Sequence, residues 1–189
     1  MPELPIMAFE SQEAWGQWLE TNHGESQGLW LKIAKKDTGI PTVTYAEAVT
    51  LALCFGWIDG QRRGFDDQYF LQKFTPRRPK SVWSKINRDK VLELIAQGKM
   101  REAGLREVER AKADGRWDAA YESQSSITVP DDLQAALDAN PTAKVFFDTL
   151  SSQNRYAILY RLSTAKKAET RQKRLEQFIA MLNANEKFY

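Results

Sequence analysis

The sequence predicts an α+β fold, in which a small antiparallel sheet of about three strands packs against helices and a helical C-terminal unit follows. Three observations predict this fold. In the first 121 residues, segments with helical spacing of apolar residues are mixed with segments that alternate with period two. Two of the alternating segments are neighbours joined at Asp66-Asp67, as expected for an antiparallel hairpin. Beyond residue 130 the apolar spacing is helical throughout.

Two local signals predict the first elements. Ser11 predicts the start of a helix that reaches about Asn22. The buried face of that helix is predicted to carry Trp15, Trp18 and Leu19. Residues 29–35 then alternate, which predicts a strand with Leu29, Leu31 and Ile33 on one side. Trp30 and Lys32 are predicted on its other side.

A capping box and a hairpin come next. Thr44 and Glu47 form the box T-Y-A-E, which predicts a helix that ends near Gly56. Residues 57–65 and 68–75 alternate on either side of a polar turn and predict two antiparallel strands.

The segment T-P-R-R-P-K-S at 75–81 is predicted to be extended, because a residue before proline disfavours helix. Ser81 or Ser84 is predicted to cap a helix that ends at Gly98, and a second helix is predicted over 105–113. The apolar set of the first of these helices is Ile86, Val91, Leu94 and Ile95.

Composition divides the chain into two predicted domains. Residues 122–130 are polar and Ser-rich, which predicts a linker between an α+β domain over 1–121 and a helical domain over 131–189. In the helical domain, Asn140-Pro141 starts one predicted helix and Ser151 or Ser152 starts another. These two helices carry Val145, Phe146, Leu150, Tyr156, Ile158, Leu159 and Leu162, and a last one carries Leu175, Phe178, Ile179 and Leu182.

Composition also excludes several classes of protein. Of the 189 residues, 42% are hydrophobic and 11% aromatic, and the formal net charge is +2. This composition, with no apolar run of about 18 residues, excludes collagen-like, disordered and membrane-spanning chains. One cysteine and one histidine exclude a disulfide or a Cys/His metal site within the chain. The sequence implies no cofactor and leaves the oligomeric state open.

The expected compartment is the cytoplasm. Residues 1–9 carry no basic region and no apolar stretch long enough for a secretory signal. The lone Cys54 fits a reducing environment.

Three stretches carry a resemblance to a known family. They read C-F-G-W-I-D-G at 54–60, F-T-P-R-R-P-K-S-V-W-S-K-I-N at 74–87 and A-K-K-A-E-T-R at 165–171. Together they resemble the bacteriocin-protection, YdeI or OmpD-associated family of bacterial proteins over nearly the whole chain. The resemblance implies a stress-resistance role connected with the envelope and with bacteriocins. It implies no substrate, reaction or catalytic residue.

The densest functional signal is a group of cations placed before a helix. Arg77, Arg78 and Lys80 are unfavourable there unless a bound anion reverses the local charge. Guanidinium groups, backbone N–H groups and the hydroxyls of Ser81 and Ser84 would converge on a phosphate or carboxylate. The predicted site is completed by Trp83 as a stacking wall and Asn87 as an amide donor.

A structural alternative exists for the same cations. The arginines would then pair with carboxylates of the neighbouring hairpin, the candidates being Asp59, Asp66 and Asp67. Basic residues also cluster more widely, with twelve Lys/Arg against six Asp/Glu over 77–116 and seven against one over 155–174. These stretches suggest a second function, nucleic-acid binding, or else are ordinary solvated helix faces.

The third functional hypothesis is an enzyme that acts on a small anionic metabolite. Asp59 is its weak candidate for a general acid or base, although Asp59-Gly60 more commonly makes a turn or bulge. Cys54 with His23 as its base is disfavoured, because the carbonyl end of a helix raises the pKa of a thiol.

Overall fold

The computed structural model describes residues 3–189, in which eight helices and a four-stranded sheet are found. The strands are β1 (Ile6–Met7), β2 (Leu29–Ala34), β3 (Trp57–Gly64) and β4 (Tyr69–Pro76). The helices are α1 (Gln12–Asn22), α2 (Tyr45–Cys54), α3 (Lys85–Ala96), α4 (Glu102–Ala113), α5 (Asp131–Asp138), α6 (Pro141–Thr149), α7 (Ser152–Ser163) and α8 (Ala168–Asn183). The predicted α+β class is confirmed.

The chain forms two compact units. The first comprises the chain up to Trp83 together with Asn87–Ala119, and the second comprises Ser84–Ile86 and Ala120–Tyr189. The domain limits 1–121 and 131–189, with a linker over 122–130, stay a prediction. Within residues 3–189, none of the helices has the length and apolar character needed to cross a bilayer.

The sheet has the strand order β1-β2-β4-β3. The predicted hairpin is β3 and β4, and β2 pairs antiparallel with β4 on the other side. The additional strand, β1, is too short to show alternation in the sequence and pairs in parallel with β2. The register of the hairpin shifts between Asp59 and Arg62, where the Gln72 amide donates to the carbonyl oxygen of Gly60 at 2.9 Å. This bulge supports the turn-or-bulge interpretation of Asp59-Gly60.

One face of the sheet packs against α1 and α2. Trp15 of α1 is fully buried, its indole N–H donates to the carbonyl oxygen of Ala48 in α2 at 3.2 Å, and its ring meets Phe74 of β4. The predicted capping signals of both helices are confirmed, with Ser11 at the start of α1 and the Thr44–Glu47 box at the start of α2. We call this side of the sheet the inner face and the opposite side the outer face.

Helix α3 differs from its prediction in the residues that it buries, and helix α4 differs in the residue at which it begins. Ser81 does not cap α3, which begins at Lys85, and the helix buries Val91 and Leu94 while Ile86 and Ile95 are exposed. Helix α4 begins at Glu102, earlier than predicted, and the backbone N–H of Arg101, just before it, donates to the carbonyl oxygen of Cys54 at 3.0 Å.

The second unit is a small helical core built from α5 to α8. Pro141 at the first position of α6 and Ser151 at the cap of α7 match the predicted starts. The prediction that Val145 belongs to the core is wrong, because Val145 is exposed and Phe147 of the same helix is buried instead. The central core residues are Leu133, Leu137, Phe147, Ile158, Leu162, Phe178 and Leu182.

Arg171, from the motif A-K-K-A-E-T-R, links helices of this second unit through hydrogen bonds. Its guanidinium donates to both carboxylate oxygens of Asp132 in α5, at 2.6 and 2.8 Å, and to the carbonyl oxygen of Leu162 in α7 at 2.8 Å. The hydrogen bond from Arg171 lowers the pKa of Asp132 below its ordinary value. The arginine of this motif therefore joins three helices.

Replacing Asp132 with asparagine is expected to lower the free energy of unfolding by about 0.5–1 kcal/mol at neutral pH, a small effect because the pair is partly solvated. A carboxyl whose pKa is lowered by folding stabilises above its unfolded pKa and loses that contribution as the pH falls through the folded pKa. The difference between wild type and Asp132→Asn should therefore disappear in strong acid. Chemical unfolding of both proteins at neutral pH and in strong acid measures this difference in stability.

The neighbouring exposed Asp131 supplies the control, since residues 3–189 offer it no ion pair. Asp131→Asn removes a charge from the same first turn of α5 without breaking the pair with Arg171, so it should lose less stability than Asp132→Asn. Equal losses of stability in the two variants would contradict a stabilising ion pair between Asp132 and Arg171.

Candidate functional site

The predicted anion loop runs from the end of β4 to the start of α3 and is non-helical, as expected from its prolines. The backbone N–H of Arg77 donates to the carbonyl oxygen of Gly56 at 3.0 Å. Arg78 and Ser81 close a tight turn, because the Arg78 N–H donates to the Ser81 hydroxyl and the Ser81 N–H donates to the Arg78 carbonyl, both at 2.9 Å. The loop thus has a fixed backbone.

Arg77 and Trp83 lie inside the first unit. Arg77 is 5% exposed and Trp83 is 2% exposed. The guanidinium carbon of Arg77 lies 3.6 Å from the centre of the Trp83 ring, and the guanidinium donates to the carbonyl oxygen of Val82 at 3.2 Å. The Trp83 ring also meets Trp117 edge-on, with 4.9 Å between ring centres. These two predicted site residues therefore shape the loop from within.

A second buried arginine, Arg116, supports the loop from the turn that follows α4. The guanidinium of Arg116 donates to the carbonyl oxygen of Ser81 at 2.6 Å and to the carboxylate of Asp114 at 2.7 and 2.8 Å. The Ser81 hydroxyl in turn holds the backbone of Arg78. Arg116 therefore fixes the turn from which the Arg78 side chain emerges.

Arg78 and Lys80 are exposed, in contrast to Arg77. Across residues 3–189 neither of them forms an ion pair. Two of the three hairpin carboxylates proposed as alternative partners have other contacts: Asp59 accepts from the Tyr45 hydroxyl at 2.7 Å, and Asp66 accepts from the backbone of Gln68 and Tyr69. Arg78 and Lys80 are thus the exposed cations of the loop.

The remaining predicted site residues lie around the start of α3. Ser84 forms a β-bridge with Tyr121 and groups with the second unit. Asn87 lies in the first turn of α3 and groups with the first unit. The structure therefore joins Arg77 to Trp83 and Arg78 to Ser81, and it places Ser84 with a different set of neighbours.

A cleft of about 420 Å³ opens beside this loop on the outer face of the sheet. Lys73 and Arg78 are the two cations that line it, and Glu3 is its acidic residue. Trp30 and Leu4 add apolar surface, and Gln27 and Thr75 add polar groups. This volume lies within the usual range of small-molecule sites, about 300–1,000 Å³.

The electrostatics of the cleft favour an anion. Among the described residues, Lys73 forms no ion pair, so both cleft cations keep their charge available. The Lys73 ammonium lies 5.9 Å from the centre of the Trp30 ring, and the Arg63 guanidinium lies 4.2 Å from the same ring. Two unpaired cations at one cleft suit a ligand that bears a phosphate or carboxylate.

Sequence reasoning missed Lys73, Thr75 and Gln27 as members of this site. The alternation of 68–75 carried part of the signal, because it places Lys73 and Thr75 on the face opposite Phe70 and Phe74. The register then pairs Lys73 with Trp30. That pairing is tertiary information that a single strand does not contain.

The candidates for chemistry lie elsewhere. Asp59 is on the inner face at the bulge, half-buried against α2. Burial raises the pKa of the Cys54 thiol, although Arg101 and Lys99 partly oppose this, so the thiol is protonated at neutral pH. Among residues 3–189, no three His, Cys, Asp or Glu side chains are close enough to hold a metal ion.

Four of the twelve cations in the first basic stretch pair within their own helices. Neighbouring turns of α3 and α4 hold Lys90–Glu93, Arg106–Glu102, Arg110–Glu107 and Lys112–Glu109. These pairs support the interpretation of the stretch as a solvated helix face.

The geometry defines a two-unit α+β protein with a ligand-sized cationic cleft on the outer face of its sheet. Comparison with family models then places it. Residues 7–107, just over half of the chain, match the model described as Domain of unknown function (DUF8412), and the chain belongs to that family. Residues 126–185 match the model described as Bacteriocin-protection, YdeI or OmpD-Associated.

The second match confirms the family indicated by the sequence motifs, over the C-terminal part of the chain only. The two N-terminal motifs, at 54–60 and 74–87, fall within the first match instead. No curated protein and no solved structure shows significant similarity to the chain.

Proposed function

We propose that the protein binds a small anionic ligand, bearing a phosphate or carboxylate, in the cleft on the outer face of its sheet. We place this binding in a cytoplasmic bacteriocin-protection or stress-resistance role, in keeping with the description of the family matched over residues 126–185. The observation that carries the proposal is the pair Lys73 and Arg78, which line one cleft and form no ion pair within the described chain.

The loop residues divide into two groups in this proposal. Arg78 provides a bidentate contact and Lys73 a point charge, the two modes of anion recognition expected for these side chains. Lys80 adds an exposed cation to the same turn. Arg77, Trp83 and Ser81 hold the turn in position from the interior. Ser84 and Asn87, predicted to offer a hydroxyl and an amide to the anion, do not line this cleft, and their contact with a ligand stays a prediction.

A thermal-shift screen against phosphorylated metabolites, carboxylates and nucleotides tests the proposal. A ligand present at about 100 times its Kd should stabilise the native state by about 2.7 kcal/mol, which raises the Tm by several degrees. Arg78→Gln and Lys73→Gln should each abolish most of that shift while leaving the Tm of the free protein near that of wild type, because the two side chains are exposed or half-buried.

The matched control is Lys36→Gln, which removes an exposed cation from a loop away from the cleft. This variant should respond to ligand like wild type. Lys80→Gln shows how far the site extends along the turn. A panel without any hit, or full shifts in both Arg78→Gln and Lys73→Gln, would rule the cleft out as the binding site.

A further inference from the structure

The outer face of the sheet carries cations well beyond the cleft. The strand register assigns the outward positions of β2, β3 and β4 to Trp30, Lys32, Ala34, Ile58, Arg63, Tyr69, Leu71, Lys73 and Thr75. Three of these side chains are cations, and none of them is a carboxylate. The inner face, in contrast, carries one carboxylate, Asp59, and one cation, Arg62. The outer positions of the described strands therefore carry only positive charges.

The outer-face cations are close enough to repel one another. Lys32 and Arg63 both pair with Leu71 and so flank it on the two neighbouring strands. Lys73 lies two residues further along β4, about 7 Å away, and Arg78 lies beyond it at the cleft. None of the four forms an ion pair across residues 3–189. Like charges this close together repel one another unless a negatively charged partner is present. These cations are also spread widely enough to contact more than one anionic group.

Aromatic rings lie directly beneath these cations. The Lys32 ammonium lies 3.9 Å from the centre of the Tyr69 ring and 4.7 Å from that of Phe65. The Arg63 guanidinium lies over the Trp30 ring and is exposed to solvent, so its outer plane can receive a second flat group. An exposed guanidinium plane is one of the surfaces on which unpaired bases stack.

From this arrangement we infer that the outer face binds a single-stranded nucleic acid. One backbone phosphate occupies the cleft between Lys73 and Arg78, further phosphates meet Lys32 and Arg63, and a base stacks on Arg63. A single strand fits because its bases are free to turn toward the sheet, whereas the bases of a duplex are stacked within it. The inference rests on the proposed function, since the cleft supplies its first phosphate contact.

Fluorescence anisotropy with a labelled single strand of about 12 nucleotides, as DNA and as RNA, tests the inference. Affinity should fall with salt, and each lost phosphate contact should reduce the slope of log affinity against log salt by about 0.7. Arg63→Gln should weaken binding by about fivefold or more through lost stacking. Lys32→Gln should flatten the salt slope.

Arg62→Gln is the matched control. Arg62 is the adjacent residue on the same strand, but the register places it on the inner-face side, where its guanidinium lies over Phe70. Its loss should leave the affinity unchanged. Equal weakening in Arg62→Gln and Arg63→Gln would overturn the placement on the outer face. Equal affinity for a duplex or for inorganic polyphosphate would overturn the role of unpaired bases.

The result also separates this inference from the proposed function. If nucleotides or phosphorylated metabolites stabilise the wild type through Arg78 and Lys73 while no single strand binds, the inference fails and the small-ligand site stands. If neither class of ligand binds, both fail. If a strand binds with its affinity unaffected by Arg78→Gln and Lys73→Gln, the proposed position of the phosphate in the cleft is overturned.

Discussion

Replacing Gly104 with alanine should lower the free energy of unfolding of the first unit by about 3 kcal/mol, the upper end of the usual cost of overpacking. The result would oppose local preference, because alanine inside a helix is normally more stable than glycine by about 0.5–1 kcal/mol. A Cβ atom on Gly104 would overlap the carbonyl oxygen of Cys54 and lie 2.8 Å from its carbonyl carbon. Backbone atoms cannot rotate away as a side chain can.

The clash arises because two helices meet backbone to backbone. The end of α2 and the start of α4 are joined by the hydrogen bond from Arg101 to Cys54. Gly56, with a φ of +74°, lies in the same contact, and a Cβ there would be 2.9 Å from the carbonyl oxygen of Ala103. Gly56 also accepts the backbone hydrogen bond of Arg77. The contact between α2 and α4 therefore also positions the anion loop.

Gly16 supplies the control for this prediction. It too lies inside a helix, α1, but the nearest atom to its added Cβ is Leu51 Cδ1 at 3.6 Å, an ordinary contact. Gly16→Ala should therefore raise stability by about 0.5–1 kcal/mol. Chemical unfolding of the two variants should give shifts of opposite sign. A Gly104→Ala protein as stable as wild type would contradict the close approach of the two helices.

Elements whose cause is local were predictable from the sequence. Ser11, the Thr44–Glu47 box and Ser151 each satisfy backbone groups within their own helix turn, so the sequence alone indicates where those helices begin. The start of α4 has no side-chain cap, and the backbone N–H of its cap residue Arg101 instead donates to Cys54, a residue distant along the chain. The alternation of 29–35 correctly placed Trp30 and Lys32 together, although their opposition to Lys73 and Leu71 needed the register.

The candidate site shows the same limit more sharply. Arg77 and Arg78 are adjacent and chemically identical, and the sequence offers no reason to treat them differently. An extended chain points successive side chains to opposite sides, so one arginine enters the interior and the other faces solvent. Which one is buried depends on Trp83, Gly56 and Val82, all of them tertiary neighbours.

This difference in burial predicts a large loss of stability when the first arginine is replaced and a small change when the second is replaced. Arg77→Ala should lower the free energy of unfolding by about 3 kcal/mol, because it removes a buried side chain from the Trp83 ring and leaves a cavity. Arg78→Ala should change it by about 0.5 kcal/mol or less, as for most exposed residues. Chemical unfolding of each variant measures both effects, and similar losses would contradict the division.

The loss in Arg77→Ala should also depend on pH through Glu107. Burial raises the pKa of that carboxyl, and Arg110, Arg77 and Arg116 oppose the rise. A carboxyl whose pKa is raised by folding costs stability once it ionises, so the cost appears as the pH rises above its unfolded pKa of about 4.3. Removing Arg77 increases that cost at neutral pH and leaves it unchanged when the carboxyl is protonated. The deficit of the variant should therefore narrow as the pH falls toward about 4.

Arg77→Met separates packing from charge in this prediction. Methionine keeps an unbranched apolar stem against the Trp83 ring and removes the cation, so it should recover part of the lost stability at low pH. At neutral pH it should retain the penalty from Glu107, because that penalty follows from the missing charge. A methionine variant with the same pH profile as wild type would show that Arg77 acts on Trp83 alone. A variant with the pH profile of Arg77→Ala and a smaller deficit at low pH would show that the buried Arg77 both packs on Trp83 and offsets the charge of Glu107.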